Sequence, residues 1–373
     1  MDILFIYIKM KQKKLVIFMP IIEIGGVEKN LRILANYLVN KINDISIITI
    51  SNKFRKKFSN KIKFISFKSN FWNSLGKRKQ FIMGLYLLTL EIIKNRNITV
   101  LCLQSNIYCT LLCKFLGIKI IVRSNTAPDG WSNNFFKYFG YKYILGLADK
   151  IIVNSLDFKK KFKDKFSLNT TCIYNPLNKK EIIKRSRLKT KIKFNKKKLN
   201  LIHVGRLVDQ KDQITILKAL NQIKDKIDFN FLILGDGKEK NNLKNYVYKN
   251  DLIKKVRFLS SKNDPYNLIK SSDIFLLSSS YEGLPNVLLE AQVLKTFIIS
   301  SDCPTGPKEI LLNGKAGSLF KVGDYKKLSS LIIKFPNEKR KNLKKKSLGY
   351  KNLSRFDYKK NLKIYLNEIK SLL

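Results

Sequence analysis

Histidine is all but missing: His203 is the single one among 373 residues. That removes His-rich zinc sites, HExxH chemistry and any Ser-His-Asp triad with a histidine to spare. The five cysteines, Cys102, Cys109, Cys113, Cys172 and Cys303, form no C-x-x-C pair. An odd number in a chain this long fits a reducing compartment and buried, inert thiols. Glycine and proline number only 17 and 8, which excludes collagen-like or extended disordered sequence. No apolar run approaches the ~18 residues that span a bilayer; the best, Phe81 to Ile93, contains Glu91. The apolar segment Met1–Met10 has no basic residues ahead of it and Lys11, Lys13 and Lys14 behind it. It reads as an extension before a start at Met10 rather than as a signal h-region.

Acidic residues are also scarce, 27 against 74 basic ones, for a net charge of +47. Such a field favours polyanions: nucleic acid, anionic lipid or phosphorylated substrates. The lysines are nevertheless spread along the whole chain among Ile, Asn and Phe, the composition of AT-rich coding sequence, so most of the excess is read as compositional and solvated. Denser clusters stand at Lys53–Lys63, Lys77–Lys79, Lys159–Lys165, Lys179–Lys198 and Lys339–Lys346. An anionic membrane would attract them by ~1 kcal/mol per basic side chain near the surface. Nucleic acid is not the expected partner.

Short β-branched runs alternate with helical patterns throughout. The first series is Lys14–Met19, Ile45–Ile50, Ile62–Phe67, Ile98–Leu103, Ile118–Arg123 and Lys150–Asn154. Val27, Leu31, Leu34, Ala35 and Leu38 form the stripe of an amphipathic helix after the first run. The alternation pauses at Thr171–Pro176, and a basic, loop-like stretch runs to Lys198. A second series follows: Leu199–Val204, Phe229–Leu234, Val256–Leu259, Asp273–Ser278 and Phe297–Ser300. Apolar strands alternating with helices predict parallel sheets covered on both faces. Two series predict an α/β protein of two doubly wound, Rossmann-like domains, 1–177 and 178–355. A C-terminal helix, 356–373, is expected to pack back on the first domain. Ligands then belong at the carboxyl ends of the strands, in the cleft between the domains.

Four segments fall where that architecture places ligands. Gly25-Gly26 opens the first helix, where the backbone can approach a ligand and free N–H groups face an anion. His203-Val204-Gly205-Arg206 ends the first strand of the second domain, with Lys211 close behind. Two cations there can neutralise a diphosphate, while His203 itself reads as a packed strand residue. Leu234-Gly235-Asp236-Gly237 lacks the third glycine of a dinucleotide fingerprint, having Lys240 in its place, and reads as a tight turn. Ser279 to Glu290 is the most informative. Pro285 suits a first helical turn and would leave the N–H groups of Asn286, Val287 and Leu288 facing the cleft, between Glu282 and Glu290. A carboxylate within the apolar Val287–Ala291 stretch is costly to bury without a partner, which points to a ligand.

Glu282 and Glu290, with seven residues between them, resemble the signature of the family 4 retaining glycosyltransferases, which have the GT-B fold. Gly25-Gly26, Gly205-Arg206 with Lys211, Leu234–Gly237 and Asp302–Ile310 follow in matching order, so the resemblance covers Lys14 to Phe320. It implies that Arg206 and Lys211 bind the donor diphosphate and stabilise the leaving group. Glu290 would bind the nucleotide ribose and Glu282 the transferred sugar; Gly205, Asn286 and Val287 would complete the donor site. Gly26 would lie by the phosphates or the acceptor. No metal or cofactor is implied, and no D-x-D occurs. Where many relatives carry a first-domain histidine, this chain reads Arg123-Ser124-Asn125-Thr126, so Asn125, with Gly25, is assigned to the acceptor side.

The implied activity is transfer of a hexose or N-acetylhexosamine from a nucleotide sugar, UDP-linked by the resemblance of Asp302–Ile310, to a lipid-linked glycan acceptor in bacterial surface polysaccharide synthesis. The basic clusters beside Phe81–Leu90 suit a cytoplasmic protein docked on the anionic inner leaflet. The competing readings are a non-catalytic polyanion- or membrane-binding protein on the same scaffold, which leaves Glu282 and Glu290 without a purpose, and a nucleotide-sugar epimerase, which the Glu pair and Gly205-Arg206 fit less well.

Overall fold

The computed structural model describes residues 13–373 apart from 24, 70, 126–137, 191, 193, 196, 262 and 263. Met1–Met10, Ile24, Thr126 and parts of the Lys179–Lys198 cluster therefore lie outside the described residues.

Near-continuous apolar runs become fully buried parallel strands. The first sheet comprises β1 (Lys14–Phe18), β2 (Ile45–Ile48), β3 (Lys63–Ile65), β4 (Ile98–Cys102), β5 (Lys119–Arg123), β6 (Lys150–Val153) and β7 (Thr171–Cys172). Its order is β3-β2-β1-β4-β5-β6-β7. The second contains β8 (Leu199–Val204), β9 (Phe229–Leu234), β10 (Val256–Leu259), β11 (Ile274–Leu277), β12 (Phe297–Ser301) and β13 (Ser318–Phe320), in the order β10-β9-β8-β11-β12-β13. The strand order reverses beside β1 in one sheet and beside β8 in the other. Each reversal opens a crevice at the strands' carboxyl ends, and the two crevices face one another.

Two expectations need correction. The pause at Thr171–Pro176 contains β7, which pairs with β6 through Ile152 and Val153; two residues are too few to show an alternation. The basic stretch from Lys179 is not all loop either. A helix spans Lys179–Arg185, and the Asn178 side chain caps it by accepting from Glu181 N at 3.1 Å. Asn178 and Glu181 have capping-box spacing, a signal masked by the lysines.

The C-terminal helix, Tyr358–Lys370, lies on the first domain. Leu362, Tyr365, Leu366 and Ile369 share a core with Leu15, Leu31, Leu34 and Ile45. The two places where the chain passes between domains are paired, Leu177 N donating to Phe356 O at 3.0 Å. Tyr365 also receives a hydrogen bond from the buried Arg123, Nε to hydroxyl at 2.6 Å. Tyr365→Phe leaves that N–H unsatisfied. It should lower the unfolding free energy by about 1.5–3 kcal/mol, the range for a hydrogen bond to a charged group. Urea denaturation of the full chain measures this, and an unchanged midpoint would remove Tyr365 from the framework.

Candidate active site

A cleft of about 890 Å³ separates the domains. Gly25, Gly26, Asn125, Gly205, Arg206, Lys211, Glu282, Asn286, Val287 and Glu290 all line it. Leu234, Gly235 and Asp236 line it too, so that turn has a place in the site as well as a turn geometry. A Cβ on Gly235 would lie 1.8 Å from Gly205 O, and one on Gly283 would lie 2.3 Å from Asn125 O. Both glycines are required by close backbone approach, the second of them between domains.

Glu282 is buried and ion-paired with Lys211, and its Oε1 also accepts from Ser279 Oγ at 2.6 Å. The cation assigned to a diphosphate is thus linked to the carboxylate assigned to the sugar. Glu290 is buried likewise, and its Oε1 accepts from Lys29 Nζ at 2.5 Å and from the Tyr266 hydroxyl at 3.4 Å. Arg206 stands half exposed, with Nη1 3.6 Å from Oε2 of Glu23 in the first domain. Two ion pairs therefore cross the cleft, Lys29–Glu290 and Glu23–Arg206.

Pro285 is the N-cap of the helix Asn286–Val293 rather than part of its first turn. The N–H of Leu288 donates to Pro285 O at 3.0 Å, so it does not face the cleft as expected. The Asn286 side chain bridges domains: its Oδ1 accepts from Asn175 Nδ2 at 2.7 Å, and its Nδ2 donates to Asn30 Oδ1 at 3.3 Å. Asn125 is held by Arg123 Nη1 at its Oδ1 and donates to Leu103 O at 3.0 Å. One donor hydrogen and one acceptor position of its amide are left for a ligand.

His203 is fully buried. The carbonyl of Leu276, 2.9 Å from Nδ1, can only accept, so Nδ1 carries the proton and Nε2 accepts from Gln213 Nε2 at 3.1 Å. Burial, with a smaller contribution from the Lys211 charge, lowers its pKa to about 4 despite the Leu276 bond. A neutral His203 orients Gln213, which also donates to Arg206 O at 2.8 Å. Burial, then the charge of Glu282, pushes the Cys303 thiol up to about 12. Cys102, Cys109, Cys113 and Cys303 are buried, whereas Cys172 is only half-buried. From Asp302–Ile310, the Glu309 carboxylate crosses to the first domain and accepts from Leu156 N and Asp157 N at the start of the helix Leu156–Phe166.

Lys29, Glu23, Asn175 and Tyr266 were not recognised from the sequence. No compositional signal distinguishes Lys29 among 74 basic residues, and Tyr266 reaches the site only through folding.

Residues 184–352 match the model of the glycosyl transferases group 1 family. That match spans less than half of the chain, which has the GT-B fold and is similar to the family 4-like glycosyltransferases. An uncharacterized glycosyltransferase of Methanocaldococcus jannaschii is 36% identical over 180 residues, 46% of this chain and 44% of that protein. Another, from Haemophilus influenzae, is 26% identical over 79% of this chain and 82% of its own length. The Campylobacter jejuni N-acetylgalactosamine-N,N'-diacetylbacillosaminyl-diphospho-undecaprenol 4-alpha-N-acetylgalactosaminyltransferase is 26% identical over 58% of this chain and 60% of its own. The chain thus spans less than half of the first of these relatives. The fold is shared with a Rickettsia africae glycosyltransferase (TM-score 0.77, 18% identity, 97% and 99% coverage). It is shared equally with Anabaena HepE in complex with UDP-glucose (TM-score 0.75, 16% identity, 96% and 100% coverage).

The cross-domain pair Lys29–Glu290 generates a prediction. Burial by itself depresses the Lys29 pKa, but Glu290 and Tyr266 outweigh it and raise the pKa above the ordinary 10.5. The group's stabilisation is therefore complete below 10.5 and lost only as pH rises through the higher folded value. Lys29→Met strands the buried Glu290 carboxylate and should cost about 2–3 kcal/mol, less than a fully buried pair because Lys29 keeps some solvent access. Denaturant titrations of wild type and variant should differ equally at pH 7 and pH 9. A gap that closes between those values would show that Lys29 is not held charged by Glu290.

Proposed function

We propose that this protein transfers a hexose or N-acetylhexosamine, with retention, from a UDP-linked donor to a lipid-linked glycan acceptor in bacterial surface polysaccharide synthesis. The observation that carries the reading is the convergence of Arg206, Lys211, Glu282 and Glu290 on one interdomain cleft. The name of the Campylobacter relative specifies a diphospho-undecaprenol acceptor, and the Anabaena structure holds UDP-glucose. Both support the choice of substrates.

In this reading the donor diphosphate displaces ion pairs of the cleft. Arg206 and Lys211 turn from Glu23 and Glu282 to the phosphates, with the N-terminus of the helix Asn286–Val293 beside them. Glu290 accepts the ribose hydroxyls and Glu282 a hydroxyl of the sugar. The bond between the anomeric carbon and the phosphate oxygen breaks, and its electron pair stays on the diphosphate. The acceptor oxygen bonds to that carbon on the same face, and its proton passes to the departing phosphate oxygen. Two cations and a helix end supply the charge stabilisation that a divalent ion gives in other enzymes, so no metal is invoked.

Arg206→Ala and Glu290→Ala should each lower kcat/KM about 10²–10³-fold, as loss of a transition-state charge contact does. Glu282→Ala should chiefly change which sugar is used. Nucleotide release from a panel of UDP, GDP and ADP sugars measures all three. Near-normal turnover in both Arg206 and Glu290 variants would sink the assignment.

The same reading places the protein on the cytoplasmic face of the inner membrane. Among the described residues no helix is long and apolar enough to cross a bilayer. In Phe81–Leu90, Leu87 and Leu88 are core residues, while Ile82 and Tyr86 face solvent beside the basic Lys77–Lys79. Only half of that stretch is therefore available for docking. Binding to phosphatidylglycerol vesicles in a flotation assay should fall steeply between 50 and 500 mM salt; attachment insensitive to salt would contradict electrostatic docking.

A further inference from the structure

Glu28 lies in the first turn of the helix Gly26–Leu38 and lines the cleft. Its side chain is 7% exposed, and its Oε1 is buried with no hydrogen-bond partner among the described residues. Nearby cations stop short of it: Arg32 Nε is 4.0 Å and Lys57 Nζ 3.8 Å from that oxygen. These are ion-pair distances, beyond hydrogen bonding. The helix N-terminus favours the negative charge but does not replace the missing donor. Leaving a buried acceptor unsatisfied is destabilising, and neither the core nor the donor site makes use of this one.

The surroundings indicate what satisfies it. Glu28, Arg32 and Lys57 all belong to the first domain and line the wall opposite Lys211, Glu282 and Glu290. Arg32 and Lys57 are 28% and 48% exposed and touch the carboxylate only loosely, Lys57 resting over the Phe54 ring at 4.9 Å. A carboxylate oxygen lacking a donor, flanked by two partly exposed cations, matches a ligand with a hydroxyl beside a negative group. A sugar phosphate has that chemistry.

We propose that Glu28 binds the acceptor: its Oε1 accepts a hydrogen bond from an acceptor-sugar hydroxyl, while Arg32 and Lys57 hold the phosphate linked to that sugar. The inference rests on the transferase reading, and it names a side chain for the acceptor half of the cleft.

Isothermal titration of the full chain tests it, with UDP, GDP and ADP for one reading and N-acetylglucosamine 1-phosphate, galactose 1-phosphate and their methyl glycosides for the other. With UDP present, wild type should bind the sugar phosphates better than the glycosides. Glu28→Ala should weaken sugar-phosphate binding at least tenfold, Glu28→Gln less because its amide oxygen still accepts, and both should bind UDP within twofold of wild type. Lys57→Ala should erase the preference for phosphate over glycoside. Because Glu28→Ala removes an unsatisfied group, it should melt no lower than wild type, which separates lost binding from lost folding. The inference is overturned if Glu28→Ala binds the sugar phosphates like wild type, if it loses UDP affinity in parallel, or if wild type binds UDP but none of the sugar probes. Wild type that binds no nucleotide overturns the transferase reading, and this inference with it.

Discussion

The buried guanidinium of Arg123, at the end of β5, connects the parts of this molecule that make the site. Its Nε donates to the Tyr365 hydroxyl of the C-terminal helix, its Nη1 to Asn125, and its Nη2 to Asn175 Oδ1 at 2.5 Å. Asn175 in turn holds Asn286 at the start of the cleft helix. A buried charge is tolerated only when its donors are satisfied, and these acceptors come from three places far apart in the chain. The C-terminal helix, Asn125 in the cleft and the helix Asn286–Val293 are therefore fixed by one side chain. A planar fork suits that task and a lysine would not.

Charge in the cleft is organised on a different basis from charge on the surface. Most of the 74 basic residues are spread over solvated faces. The scarce carboxylates are the better guide: Glu28, Glu181, Asp236, Glu282 and Glu290 line the cleft. Three of them are paired with lysines at short range, Asp236 with Lys240, Glu282 with Lys211 and Glu290 with Lys29, and the last pair joins the domains. Carboxylates paired in this way are less costly to bury than they would be in a cleft without cations.

The strand runs, the amphipathic first helix and the position of the two sheets were legible because each depends on residues adjacent in sequence. Strand alternation follows from β-branched runs, and the turn at Gly205 and Gly235 from residue types with one physical use. The two-residue β7 carries no period to detect. The helix after Asn178 was legible in principle, through its capping spacing, but lay within a basic run that suggested solvated loop.

By itself the sequence determined two parallel α/β domains, a ligand site at their facing strand ends and the residue types gathered there, since local spacing encodes periodicity and chemistry. Only the tertiary structure decided who pairs with whom. Lys29 meets Glu290 across 261 positions of chain, Lys211 pairs with Glu282, and Glu28 Oε1 finds no donor among the described residues. Pairing and its absence depend on distances of a few ångströms between remote segments, a quantity that no local pattern carries.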